Sequence, residues 1–335
     1  TGSSGATTSM IQYELDEPLH SLMEMIGKEA AIDIYRGAAP AVGKLEEIIS
    51  ELPQDCGFTT KQSLHFASSD GDVAGLMKEF ECQKMVGLAV KWLSKDQVFS
   101  QYGLNSEGGI LTDTAASMDA YQMTHTLLQY SMNHFGIEVY DHTRLESVEY
   151  GKSKSFAVVD TTAMIECKTI IYTTGYETHE IIRSGIGRLI STYACVSEPM
   201  DDILPSLSQT VFWNTENPYF YFRTTMDNRI LIGGEDENFK NPQRRDRLIE
   251  EKESDLVAKF QRQMPGTPFV ADFSWAGTFG ATKDSLPYIG EHPDFRNSYF
   301  MLGFGGNGIT FSIMGMEILS DAVAGRPNKF LEHFR

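Results

Sequence analysis

Cysteine is scarce in this chain. Cys56, Cys82, Cys167 and Cys195 are its four, far apart in sequence. No CxxC and no Cys/His cluster at metal-ligand spacing occurs, which argues against a zinc-ribbon or disulfide-framework protein. Reduced, mostly buried thiols and a cytoplasmic setting are expected. Long apolar runs are lacking too, and nothing approaches the roughly 18 residues of a membrane span. The N-terminus has neither a basic region nor an apolar run, so no secretory signal is expected. Positive charge is short: 28 Lys+Arg stand against 46 Asp+Glu, a net charge of −18. Such a surface disfavours nucleic acid and anionic membranes as partners.

What is present is an ordinary globular balance, 41% hydrophobic and 22% charged. The 335 residues suffice for one large or two moderate domains. An apolar stripe through Leu19, Leu22, Met23, Ile26, Ala30 and Ile34 predicts a long helix over 18–36. Residues 42–52 continue it or form a second helix. Residues 63–67 and 91–93 are strand-like, with a helical stretch over 71–87 between them. A helix over 119–135 should end at Gly136. Strands are expected over 137–140, 145–150, 155–160 and 169–173.

From 190 to 275 the chain turns mostly β. Residues 217–225 alternate with period two, placing Tyr219, Tyr221 and Arg223 on one face and Phe220 and Phe222 on the other. Asp227-Asn228 can form a two-residue hairpin turn into 229–232. One helix over 241–264 interrupts, and 272–275 is the last strand of the block. α/β material thus brackets β-rich material twice, which suggests two discontinuous domains.

Near the C-terminus stands Gly303-Phe304-Gly305-Gly306-Asn307-Gly308. It opens a helical segment whose apolar residues Ile309, Ile313, Met316, Leu319 and Val323 recur at helical steps. Gly325 and Pro327 close it. A glycine-rich turn feeding a helix suits an electron-rich ligand, since the first-turn N–H groups point outward at the positive end of the helix dipole. On its own it suits a tight strand-to-helix turn with no ligand at least as well.

Three pieces ask for a joint account. One is the run of small residues Gly2-Ser3-Ser4-Gly5-Ala6-Thr7-Thr8-Ser9-Met10. Another is the apolar strand ending Thr173-Thr174-Gly175. The third is Trp275-Ala276-Gly277, then Thr282-Lys283-Asp284-Ser285-Leu286-Pro287-Tyr288-Ile289-Gly290, then the glycine loop. Together they resemble the D-amino-acid oxidase and glycine/sarcosine oxidase (DAO) family of FAD-dependent amine oxidoreductases. The resemblance spans nearly the whole chain. It implies an α/β (α+β) fold. A Rossmann-like FAD-binding domain takes residues 1–52, 102–188 and 279–335. A second, mostly antiparallel β domain takes 53–101 and 189–278 and binds substrate.

The resemblance also implies site residues. Ser3 to Met10 would serve the pyrophosphate and ribityl oxygens, and Val148 the adenine through its backbone. Thr173, Thr174 and Gly175 would let a strand end pass close to the cofactor. Gly303, Gly305, Gly306, Asn307, Gly308, Ile309 and Thr310 would face the flavin ring and stabilise its reduced form. On the substrate side, Phe279 stands where many relatives carry a carboxylate-binding arginine. Arg223 remains as a candidate clamp, with Tyr221 beside it. No cysteine lies in 279–312, so the FAD should be noncovalent. A small amine or amino acid, and oxygen or another electron acceptor, are the implied partners.

The family begins with a strand, a GxGxxG turn and a helix that bind the ADP half of FAD. Apart from the C-terminal glycine loop, no GxGxxG with a following acidic residue occurs in this sequence to replace that unit. About 35 to 45 preceding residues are expected to supply it, by the size of such a unit. A flavin-free binding or structural protein that keeps the fold is the competing expectation.

Overall fold

Period-two alternation decides how the largest sheet sits between a packed core and an open cavity. The computed structural model describes residues 3–160, 163–182 and 187–334. Strand β1 (Met10–Gln12) leads into helices α1 (Leu19–Ile26), α2 (Lys28–Ala38) and α3 (Ala41–Ser50). The helix expected over 18–36 is therefore two helices, broken at Gly27, which sits at φ 92°. β2 (Thr59–Phe66), α4 (Val73–Met85), β3 (Val90–Ser94), α5 (Lys95–Tyr102) and β4 (Gly108–Ser117) follow. Helix α6 (Ala120–Phe135) starts at Asp119, whose carboxylate accepts the Gln122 N–H at 2.8 Å, and ends at the left-handed Gly136.

An antiparallel ribbon comes next: β5 (Leu145–Tyr150), β6 (Ser155–Val159) and β7 (Ala163–Cys167). The strand expected over 137–140 does not form. Ile137, Val139 and Tyr140 are exposed there, with no neighbouring strand to pair with among the described residues. Then come β8 (Ile170–Tyr172), the single turn α7 (Thr178–Ile181), β9 (Arg188–Ser197), the single turn α8 (Pro205–Ser208), β10 (Thr210–Asn214), β11 (Tyr221–Thr224) and β12 (Ile230–Glu237). The turn between β11 and β12 holds three residues, since Thr225 N–H bonds Arg229 O across Met226, Asp227 and Asn228. Asn228 takes the left-handed position at φ 59°. That is the three-residue hairpin rather than the two-residue one.

The helix expected over 241–264 is also two, α9 (Pro242–Arg247) and α10 (Ile249–Gln263). β13 (Ala271–Ala281), β14 (Tyr288–His292), β15 (Phe295–Leu302) and α11 (Gly308–Val323) close the chain.

The result is a mixed α/β fold. Its nine-stranded sheet runs β1-β4-β2-β10-β11-β12-β9-β13, with β3 also paired to β4. Only β2 and β10 are parallel neighbours in it. A three-stranded sheet β14-β15-β8 stands separately. The nine-stranded sheet draws β1 and β4 from sequence segments assigned above to the FAD-binding domain, and β2, β9, β10, β11 and β12 from those assigned to the substrate domain.

On one face of this sheet Phe212, Phe220, Phe222 and Ile232 pack against Leu256 and Phe260 of α10. A second core joins α1, α2, α3 and α11 beneath β1 and β4. Because side chains alternate along a strand, the neighbours of the first set, Trp213, Tyr219 and Tyr221, face the other way. They look into the cavity described next.

Candidate functional site

A cavity of about 660 Å³ opens between that sheet face, the N-terminal end of α11 and helix α6. The segment before β1 forms one wall through Ser4, Ala6, Thr7, Thr8 and Met10. Its backbone is tied down from the sheet. Trp275 Nε1 donates to Ala6 O at 2.8 Å, and Arg223 Nε donates to Thr8 O at 2.7 Å. Thr8 Oγ1 lies 3.4 Å from the Tyr221 hydroxyl.

The glycine loop forms the facing wall, with Gly303, Gly305, Gly306, Asn307, Gly308, Ile309 and Thr310 all on the cavity. Gly303 and Gly305 have φ of 77° and 57°, where a side chain is strained. Asn307 fastens the loop to the chain after β1: its Nδ2 donates to Glu14 O at 2.8 Å and its Oδ1 accepts Asp16 N–H at 3.0 Å. Thr310 Oγ1 donates to Gln12 O at 2.7 Å. The first-turn N–H groups of α11 have no acceptor within the helix and leave a positive helix end toward the cavity. Two nearby amides are taken: Gly306 N–H donates to Asp16 Oδ2 at 2.6 Å and Gly305 N–H to Gly280 O at 3.0 Å.

β13 contributes Trp275, Gly277, Thr278, Phe279, Gly280 and Ala281. A Cβ on Gly277 would meet only Thr192 Cγ2 at 3.5 Å and Ala6 Cβ at 3.9 Å. On Gly280 it would meet nothing nearer than 3.9 Å. These glycines therefore keep cavity space open rather than easing a turn. Gly175, at φ 56°, reaches the same cavity from the turn after β8.

So the fold brings together most of the residues singled out in the sequence. Several stand apart. Gly2 lies outside the described residues, as does Thr1. Thr173 and Thr174 do not line the cavity; Thr174 Oγ1 pairs with Thr178 Oγ1 at 2.7 Å. Val148 is a strand residue of β5 facing Ala157 across the ribbon. Ser3 and Gly5 sit in the short helical turn that opens the described chain, and Ser9 follows at φ 53°. Arg223 lies under the floor, only 8% exposed. Its guanidinium serves the Thr8 carbonyl and, from a terminal nitrogen, the Thr224 carbonyl at 2.9 Å. Burial pulls its pKa down to about 10.

Sequence reasoning passed over Asp16, Thr192 and Trp213 as wall residues. Asp16 belongs to a Glu-Leu-Asp-Glu run that carries no motif. Burial raises its carboxyl pKa, with the Gly306 amide opposing the rise and Glu17 adding to it. Burial also raises Tyr219, with the charges of Asp16 and Asp236 next in order. Asp236, in the irregular stretch of β12, is pushed up to about 6, chiefly by burial. His65 stacks on Trp213 at 3.6 Å, and burial drops its pKa to about 3, so it stays neutral near pH 7.

A cavity of this size, walled by glycines, small hydroxyl residues, a helix N-terminus and aromatics, fits a flavin nucleotide. Comparison with known proteins agrees on the class. The family model described as FAD dependent oxidoreductase (DAO) matches residues 1–322, and the chain belongs to that family. Glycine oxidase of Geobacillus kaustophilus (strain HTA426) is 24% identical over 310 residues, covering 88% of this chain and 77% of that protein. The crystal structure of glycine oxidase from Geobacillus kaustophilus superposes with a TM-score of 0.79 at 19% identity, over 98% of this chain and 86% of that one. L-proline dehydrogenase from P. horikoshii gives 0.80 at 15% identity, over 99% and 86%. Among the described residues no helix is long and apolar enough to cross a membrane.

Proposed function

We propose that this FAD-dependent oxidoreductase oxidises the C–N bond of a primary or secondary amine, amino acids included, with FAD held noncovalently. One observation carries the proposal. The small-residue segment, the glycine loop and the tyrosine-bearing sheet face converge on a single cavity. The glycine oxidase and proline dehydrogenase likenesses support the same chemistry, since both names describe oxidation beside an amine nitrogen.

FAD, when bound, supplies the two-electron acceptor, and oxygen or another carrier takes the electrons onward. The C–H bond next to nitrogen gives up a hydride, and water converts the resulting imine to a carbonyl compound and a free amine. The protein's share is position and environment. Ser4, Ala6, Thr7 and Thr8 would hold the polar chain of the cofactor. The helix end at Gly308 to Thr310 would offset negative charge on the reduced ring. Trp213, Tyr221 and Phe279 would orient the substrate and exclude water. Four unpaired cysteines support a cytoplasmic setting.

The test starts from flavin-loaded protein. Acid precipitation should release the flavin to the supernatant; yellow colour left on the pellet would sink noncovalent attachment. Anaerobic bleaching by members of an amine and amino-acid panel is the expected outcome. Protein that neither binds flavin nor bleaches would favour the flavin-free structural alternative. Peroxide formation under air, against turnover with an artificial acceptor, then separates oxidase from dehydrogenase.

A further inference from the structure

Among the described residues, the cavity lining carries negative charge and no cation. Asp16 is the one charged side chain among the described residues that line it. Phe279 occupies the β13 wall, and Arg223 is spent on two backbone carbonyls beneath the floor. Nothing in this lining offers a carboxylate a charged partner.

Asp16 is held rather than dangling. Its Oδ2 accepts the Gly306 N–H at 2.6 Å. Its Oδ1 packs closely over Gly306. A Cβ placed there would lie 2.7 Å from Oδ1 and 2.6 Å from the Tyr219 hydroxyl. Both oxygens therefore edge the same small space, one as an acceptor and one as a hydroxyl. Asp236 adds to the negative field: its charge acts on Tyr219 and Tyr221. Its neighbour Thr192 lines the cavity.

A substrate carboxylate brought here would meet like charge at reduced dielectric, which disfavours it. An ammonium would instead gain a charge-assisted hydrogen bond from a carboxylate that the loop already positions. Resting on the amine-oxidising reading above, we infer that this cavity takes a cationic amine without a carboxylate on the reacting carbon, and that Asp16 receives its ammonium group. The substrate class is short α,ω-diamines and their N-substituted derivatives. One nitrogen enters the reaction and the other stays protonated against Asp16, beside Tyr219. Asp16 is thus the specificity residue, and Asn in its place keeps an oxygen acceptor for Gly306 while removing the charge.

The experiment compares 1,4-diaminobutane, butylamine and glycine as reductants of the flavin-loaded protein, in wild type and Asp16→Asn. Wild type should prefer the diamine over butylamine by tenfold or more in kcat/KM, and over glycine by more. In the variant the diamine KM should rise at least tenfold, so that the diamine-to-butylamine ratio falls toward one. If Asn costs the flavin, Tyr219→Phe gives the same comparison without touching the Gly306 amide, with a severalfold rise in diamine KM. Preference for glycine in wild type, or an unchanged diamine-to-butylamine ratio in the variant tested, overturns the inference while leaving amine oxidation intact. A flavin that none of the panel reduces overturns the oxidation reading, and this inference with it.

Discussion

Gly306 shows how much one hydrogen atom in place of a side chain can decide. Its backbone does not need the left-handed region; the φ values of 77° and 57° belong to Gly303 and Gly305. What Gly306 supplies is space. A Cβ there would fall 2.6 Å from the Tyr219 hydroxyl and 2.7 Å from Asp16 Oδ1. Gly306→Val adds two further methyl groups in the same place. It should push Tyr219 and Asp16 apart and break the 2.6 Å bond that anchors the loop. The expected outcome is a flavin-to-protein absorbance ratio below half that of wild type. A variant with full flavin content and unchanged amine-driven bleaching would show that this position does not face the site. Gly280 offers the contrast, because a Cβ there meets nothing within 3.9 Å. A methyl group at that position intrudes on cavity volume alone.

At the scale of elements, what the sequence reveals and what it hides follow from how local the determinants are. The helix of α11 is legible because its apolar spacing and the glycines at both ends lie within the segment itself. The alternation that sends Phe220 and Phe222 to the core and Tyr219 and Tyr221 to the cavity is equally local. The N-terminal end of α1 is not. Pro18 gives it no side-chain cap, and the cap comes from Glu79 on α4, which accepts Leu19 N–H at 2.9 Å and His20 N–H at 3.1 Å. Nothing within residues 15–26 announces that partner. The strand expected over 137–140 fails for the same kind of reason: alternation needs a neighbouring strand, and none comes. The surroundings of Arg223 and Asp16 are not legible locally either, because burial, not residue type, sets them.

Strand β13 is where a legible pattern and a hidden position meet. Its Phe279 pairs with Ile190 of β9 and lines the cavity, a consequence of register that its family resemblance alone suggested. Phe279→Arg would bring a guanidinium to a lining that has no cation among the described residues. A charge-assisted bond to a carboxylate is worth roughly 1.5–3 kcal/mol, or about 10- to 150-fold. The variant should therefore shift relative kcat/KM from diamines toward α-amino acids by at least tenfold. A folded, flavin-loaded Phe279→Arg protein with the wild-type order of preference would place Phe279 outside the substrate's reach.

For the whole molecule, acidity has a cost that falls on the interior as well as the surface. The chain carries a net charge of −18, and the Glu14 carboxyl is buried with only weak polar neighbours to answer it. Glu14 is 2% exposed, and neither of its side-chain oxygens has a hydrogen-bond partner among the described residues. Burial pushes its pKa from 4.5 up to about 7; its own backbone, Ser63 and Thr112 oppose the rise, and Glu79 adds to it. The sign of the effect on stability follows directly. Between pH 4.5 and 7 the folded state still holds a proton that the unfolded state has released. Stability therefore falls as pH rises through that window and stays lower above it. At one pKa unit per 1.36 kcal/mol, the loss by pH 8 is of order 3 kcal/mol. Glu14→Gln removes the ionisation and keeps the shape. Thermal unfolding should show the variant more stable than wild type at pH 8, with the gap closing at pH 5, where Glu14 is protonated in the fold. Titrations elsewhere are common to both proteins and drop out of the difference. A gap that is the same at pH 5 and pH 8 would mean that Glu14 is not the buried carboxyl responsible, and that its oxygens find partners when the protein is in water.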